Sequence, residues 1–169
     1  MKRLVMLASV VAAFAVCGVQ AATADTESWG PWEPTYQGPI TVPAGTVCPF
    51  AVSAEPLRQR LQIRYRYDEA GNPTGYQVVG PLIGLITNTE TGASVERNLS
   101  GLGTVMFNPD GSWEAVVEGN FLVFFRSADT PANRLLLFNG RTVLEGTASG
   151  AKMLASVSGA TEDLCATLS

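Results

Sequence analysis

Acid–base and nucleophilic catalysis both need a group that trades protons near neutrality, and this sequence is short of such groups. It contains no histidine, which removes Ser-His-Asp and Cys-His catalysis and every imidazole metal site. Glu114 and Glu118 fall on one face of an extended segment, four residues apart. At about 3.3 Å per residue they sit roughly 13 Å from each other, beyond the roughly 5–9.5 Å that glycoside hydrolysis wants between its carboxyls. A carboxylate on a neighbouring strand would have to complete a pair. Asp68-Glu69 precedes a turn without the oxygen spacing of a calcium loop, and no glycine-rich phosphate loop opens a helix. No catalytic residue, metal site or cofactor is expected. Asn98-Leu99-Ser100 fits the glycosylation sequon, and Gly101-Leu102-Gly103 fits a turn or a close backbone approach.

Binding chemistry has better candidates. Leu57 to Tyr67 alternates with period two: Leu57, Leu61, Ile63, Tyr65 and Tyr67 lie on one side, and Arg58, Arg60, Gln62, Arg64 and Arg66 on the other. Four guanidinium forks on one strand face match a phosphate, a sulfate or an acidic polysaccharide. The plainer reading is a solvated face cross-paired with Glu96, Glu114 or Glu118, each exposed pair worth little. Asp25 to Gly45 holds Trp29, Trp32 and Tyr36 among Pro31, Pro34, Pro39 and Pro43. Prolines at that density exclude helix and central strand. The segment is either an extended arm laid over the domain or an exposed aromatic platform for a sugar or a partner.

The chain opens with Lys2 and Arg3, an apolar run from Leu4 to about Val19, and small residues in Val19-Gln20-Ala21 and Ala22-Thr23-Ala24. That is the pattern of a secretory signal peptide, cleaved after Ala21 or, by preference, Ala24. The run is shorter than the roughly 20 residues of a spanning helix, and the branched Val16 before Cys17 argues against lipidation. A secreted protein with no stable membrane anchor is expected. Cys48 and Cys165 then remain, and in an oxidising compartment such a pair forms a disulfide, worth about 4.7 kcal/mol on the chain-entropy argument for so long a loop. Loss of Lys2 and Arg3 takes the net charge from −4 to −6, which disfavours nucleic acid and anionic membrane as partners.

The elements that must position these residues read as β throughout. The clearest is a hairpin from Thr104 to Phe125. Asn108-Pro109-Asp110-Gly111 suits a type I turn closed by a left-handed glycine, which sets Phe107 opposite Trp113 and Val105 opposite Ala115. Its second strand continues through Asn120 to Phe125, apolar on both faces, and so must be covered twice, by the arm or by a ligand. Further strands are read at Thr46–Ala54, ended by Glu55-Pro56, at Leu57–Tyr67, Gly75–Val79, Leu82–Asn88 and Ala93–Leu99. Arg134–Phe138 and Thr142–Thr147 flank Asn139-Gly140 as a hairpin, and Lys152–Ser158 is the last strand. A short helix starts at Thr161-Glu162-Asp163 with Leu164, Cys165 and Leu168 inward. The expectation is one all-β domain over residues 46–169, an antiparallel barrel of eight or nine strands closed to remove its edges, with a sandwich as the alternative.

Ile86 to Ser112 (ITNTETGASVERNLSGLGTVMFNPDGS), Leu137 to Arg141 (LFNGR) and the closing Asp163-Leu164-Cys165 resemble a group of secreted proteins from high-GC Gram-positive actinobacteria. The resemblance implies export, the bridge and an actinobacterial source; it implies no activity and no site. The expected function is a secreted, monomeric, non-enzymatic barrel that binds a small apolar ligand or an extracellular partner. Its aromatic interior would comprise Phe50, Tyr65, Tyr67, Phe107, Trp113, Phe121 and Phe125. The alternative is an inhibitor or interaction protein acting through the loop Ser127–Asn133. A third is a hydrolase or isomerase built on Asp, Glu, Arg and Tyr.

Overall fold

A computed structural model describes residues 28–169; the expected signal segment, 1–24, and the first residues of the arm lie outside the described residues. Three short strands come from the proline-rich arm: β1 (Ser28–Trp29), β2 (Glu33–Thr35) and β3 (Ile40–Val42). The body follows as β4 (Val52–Gln59), β5 (Leu61–Tyr67), β6 (Pro73–Gly80), β7 (Leu82–Asn88), β8 (Ser94–Asn98), β9 (Gly101–Phe107), β10 (Trp113–Phe125), β11 (Arg134–Gly146) and β12 (Lys152–Asp163), with α1 (Leu164–Thr167) last. All strand pairs are antiparallel. The larger sheet has the order β1-β5-β6-β9-β10-β11-β12, with β2 also on β5; the smaller has β3-β4-β7-β8.

The two sheets are joined by strands that bend from one into the other. β4 runs into β5 through Arg60 alone, β6 into β7 through Pro81, and β8 into β9 through Leu99-Ser100. Beside these bent passes β10, β11 and β12 stay continuous but bend at the same level. Glycines make the bend. Gly80 pairs with Gly101, Gly101 with Gly119, Gly119 with Gly140, and Gly140 with Gly159. Gly80, Gly119, Gly140 and Gly159 have φ of 139°, 107°, 131° and 133°, a region closed to most side chains. A Cβ on Gly140 would overlap the Ser158 carbonyl oxygen, and one on Gly119 would lie 2.8 Å from that of Ser100.

Beyond this crease the sheet divides, because β8 and β10 do not pair there. On one face of the far halves of β10 and β11, Leu122, Phe124, Leu135 and Leu137 pack with Val52 and Ile86 of the smaller sheet and with Val47, Phe50, Leu164 and Leu168. On the other, Val123, Phe125, Leu136 and Phe138 fold back over Ala115 and Leu144 of the near halves. Each of the fully buried side chains among these is worth roughly 1.5–3 kcal/mol, Leu122 and Phe124 being only partly buried. Cys48 and Cys165 are bridged with Cα atoms 5.4 Å apart, and the Asp163 carboxylate caps α1 by accepting from the Cys165 N–H at 2.9 Å.

The Asn108–Ser112 turn has the expected register, with Phe107 opposite Trp113 and Gly111 at φ 82°. Other expectations need correction. The sheets are open and stacked, so the architecture is a sandwich and not a closed barrel. Its edges are blunted by other means than closure: the proline-broken β1, β2 and β3 cover β5 and β4, charged Glu96 and Arg97 sit on β8, and a bulge opposite Val143/Leu144 distorts β12. Asn139-Gly140 is no hairpin turn, since its glycine belongs to the crease inside a continuous β11. The first strand starts at Val52 and passes through Glu55-Pro56 with a bulge, breaking instead at Arg60. The doubly apolar end of β10 is packed on both faces by the body of the protein, and Val42 of the arm joins the cluster that holds Leu122 and Phe124. The expected aromatic interior is split. Phe50 and Phe125 are buried, Tyr67 and Trp113 half-buried, and Tyr65, Phe107 and Phe121 exposed.

The crease predicts a contrast between two glycines. Gly140→Ala should cost about 2 kcal/mol or more, read as a lowered urea midpoint. Gly103→Ala, with nothing within 4 Å of its Cβ position, should change the midpoint by less than about 0.5 kcal/mol.

Candidate binding groove on the larger sheet

Alternation along the strands gives the larger sheet one apolar face. The register sets Tyr65, Tyr76, Val105, Ala115, Leu144 and Leu154 in one row across six strands. Ile63, Val78, Gly103, Val117, Thr142 and Val157 form the next. At the β10–β11 end the folded-back strands roof this face; at the β5–β6–β9 end nothing among the described residues does. The open end is a groove of about 420 Å³ lined by Thr35, Tyr36, Gln37, Leu61, Ile63, Tyr65, Pro73, Tyr76, Val78 and Phe107. Neighbouring rings stand 6.3 Å apart for Tyr65 and Tyr76 and 6.0 Å for Tyr76 and Phe107, both tilted. Tyr36 is 72 % exposed at the rim. Among the described residues no charged side chain lines the groove. Burial pushes the Tyr76 phenol above its usual range, with the neighbouring Tyr65 adding to the shift, so it stays a neutral hydrogen-bonding group.

The arginines named from sequence do not form one face. The break at Arg60 leaves Arg58 on β4 of the smaller sheet, where it meets Glu96 at 3.4 Å in solvent, and Arg64 and Arg66 on β5 of the larger. Arg60 itself sits exposed at the bend, its N–H donating to the Pro81 carbonyl at 3.0 Å. Arg66 lies 3.9 Å from the Met106 sulfur. Arg64 lies between two indoles, its guanidinium carbon 4.7 Å from the Trp29 ring centre and 4.6 Å from that of Trp32. Its Nε donates to Gln77 at 2.8 Å, and Gln77 donates on to Thr104 at 3.0 Å. Trp29 and Trp32 therefore clasp the arm to β5 through stacked cation–π contacts.

Glu114 does find a carboxylate on a neighbouring strand: Glu145 is directly opposite it on β11, while Glu118 faces Arg141. Both members of the Glu114–Glu145 pair are exposed. Among the described residues no group of three or more His, Cys, Asp or Glu is placed to hold a metal ion. The loop Ser127–Asn133 is fastened at both ends. The Asp129 side chain, 3 % exposed, accepts from the backbone N–H groups of Arg126 at 2.6 Å and Lys152 at 2.9 Å and from Lys152 Nζ at 2.6 Å. Asn133 Nδ2 donates to the Gly45 carbonyl at 2.9 Å.

Reading the sequence alone missed this lock, although Lys152 is the only lysine after Lys2. It also missed Tyr76 and Val78 as groove residues, because cross-strand register places them. No described helix is long and apolar enough to cross a membrane. The sequence matches no protein family, no characterised protein and no solved structure.

Two outcomes are expected. Burial alone would raise the Asp129 carboxyl, but the Lys152 ammonium and the two N–H donors outweigh it and hold it below the usual range. The stability it contributes is thus full above about pH 4 and lost as pH falls through the lower folded value. Asp129→Asn should cost about 3 kcal/mol at pH 7 and flatten the acid limb of a plot of unfolding midpoint against pH. Arg64→Ala should free the arm, seen as faster amide exchange at Glu33 and Thr35 with the exchange of β10 and β11 unchanged.

Proposed function

We propose that this is an exported, non-enzymatic binding protein whose groove on the larger sheet holds a small, uncharged, amphipathic molecule. The observation that carries the reading is the apolar row of the larger sheet, which continues from a roofed core into an open groove. Soluble proteins seldom leave a contiguous apolar surface without a use, and about 420 Å³ lies within the range of small-molecule sites. Tilted aromatic rings offer flat faces to a ring or chain, while Thr35, Gln37 and the phenols offer hydrogen bonds around it. An ionised ligand would lose its hydration there without gaining a counter-charge. A charged start with a short apolar run, and the bridged Cys48–Cys165 pair, support export, and the resemblance to secreted actinobacterial proteins supports that source.

Protein purified without detergent from the medium of its source culture should retain a ligand as an added mass in native mass spectrometry. Tyr65→Ala with Phe107→Ala should lose that mass, with affinity at least tenfold weaker, about 1.4 kcal/mol. A clean unliganded mass for the wild type, together with no shift of the Tyr65 and Tyr76 ring protons on titration with uncharged ring compounds, would reject the reading.

A further inference from the structure

A separate cleft opens between the smaller sheet and the far half of β10. The inner face of the smaller sheet is built there from small residues, Ala54 and Pro56 on β4 and Gly84 opposite Pro56 on β7. Large side chains, Leu99, Phe121, Leu122 and Phe124, stand around them. Small residues meeting large ones across a sandwich leave a gap where the β8–β10 pairing is missing. The gap is about 230 Å³, below the roughly 300 Å³ at which drug-sized sites begin. Its walls are almost wholly apolar and continuous with the core, for Ala54, Leu99, Leu122 and Phe124 all pack on the buried Val52–Ile86 cluster. Phe121 stands at the mouth, 37 % exposed. Glu55 borders the cleft through its backbone, its side chain alternating onto the outer face beside Leu85 and Glu96, so among the described residues no charged side chain faces the space. Gln37 bounds the cleft on the arm side and also lines the aromatic groove. The arm is held there by Gln59, which accepts from the Gln37 N–H at 2.8 Å and donates to its carbonyl at 3.0 Å.

We propose that this cleft is a second binding site, for a short, unbranched, uncharged alkyl chain. Its dry apolar walls exclude a polar occupant. Its volume suits a short alkyl chain, and its walls offer a fatty-acid carboxylate no counter-charge while tolerating an alcohol or other neutral group. The site stands whether or not the aromatic groove binds anything.

The test uses 1-octanol and octanoate at pH 7 as probes of equal length, followed through the methyl resonances of the disulfide-bonded protein. 1-Octanol should shift the methyls of Ile40, Leu82, Leu99 and Leu122, and octanoate should bind at least tenfold more weakly. Ala54→Leu, which fills the cleft, should weaken 1-octanol at least tenfold without lowering the melting temperature, whereas Tyr65→Ala in the groove should leave it unchanged. If Ala54→Leu does not fold, Gly84→Ala carries the same expectation, because its Cβ would come within 2.8 Å of Leu99 Cδ1 and drive that side chain into the space. Shifts confined to Ile63 and Val78, equal binding by the filled variant, equal binding of octanoate, or no methyl shift at millimolar 1-octanol would each overturn the proposal.

Discussion

A row of glycines in register across β6, β9, β10, β11 and β12 is the constraint on which the rest of the structure hangs. Without it a meander of long antiparallel strands would stay one twisted sheet, able to cover neither of its faces. With side chains absent along that line, β6, β10, β11 and β12 take a φ there that other residues avoid, and the far halves of β10 and β11 swing back over the near ones. Burial then follows on two levels at once. Phe138 and Phe125 meet edge-on, 6.5 Å between ring centres, in the inner layer. Leu135 and Leu137 face outward into the second layer, where the disulfide and α1 close the end. The bend thus converts alternation in sequence, which normally yields one wet face and one dry one, into strands dry on both.

The same bend leaves something over. Because β8 and β10 part company beyond the crease, only half of the apolar face of the larger sheet is roofed, and a gap remains where the smaller sheet meets β10. Both the aromatic groove and the inter-sheet cleft are by-products of this incomplete closure, and the arm borders each. It is fixed on both flanks, by the Trp29–Arg64–Trp32 stack on one side and the reciprocal Gln37–Gln59 hydrogen bonds on the other. The segment that the sequence reads as an extended proline-rich arm or an aromatic platform is therefore the wall of both openings.

Local chemistry was legible in the sequence and global closure was not. The Asn108–Gly111 turn fixes its own register through short-range rules, so Phe107, Trp113, Val105 and Ala115 were placed correctly. The paired cysteines and the inward Leu164 and Leu168 likewise followed from local signals. Asn139-Gly140 misled because a left-handed glycine serves equally for a two-residue turn and for a crease in an unbroken strand; only the glycines of the neighbouring strands distinguish them, and they lie twenty residues or so away along the chain. Arg58 and Arg64 were grouped because period two continues through Arg60 in sequence, although the backbone changes sheets there. Tyr76 and Asp129 went unseen for a related reason, since each acquires its meaning from a partner on another strand.

The bridge between Cys48 and Cys165 joins positions 117 residues apart, and every strand of the body, β4 to β12, lies between them. Topologically residues 48–165 form a closed ring. A protease that nicks any exposed turn inside that ring, at Asp68–Asn72 or Thr147–Gly150 for example, leaves a single covalent molecule whose pieces stay in register. Proteolysis would then require at least two cuts, or prior reduction, before any fragment of that ring could diffuse away.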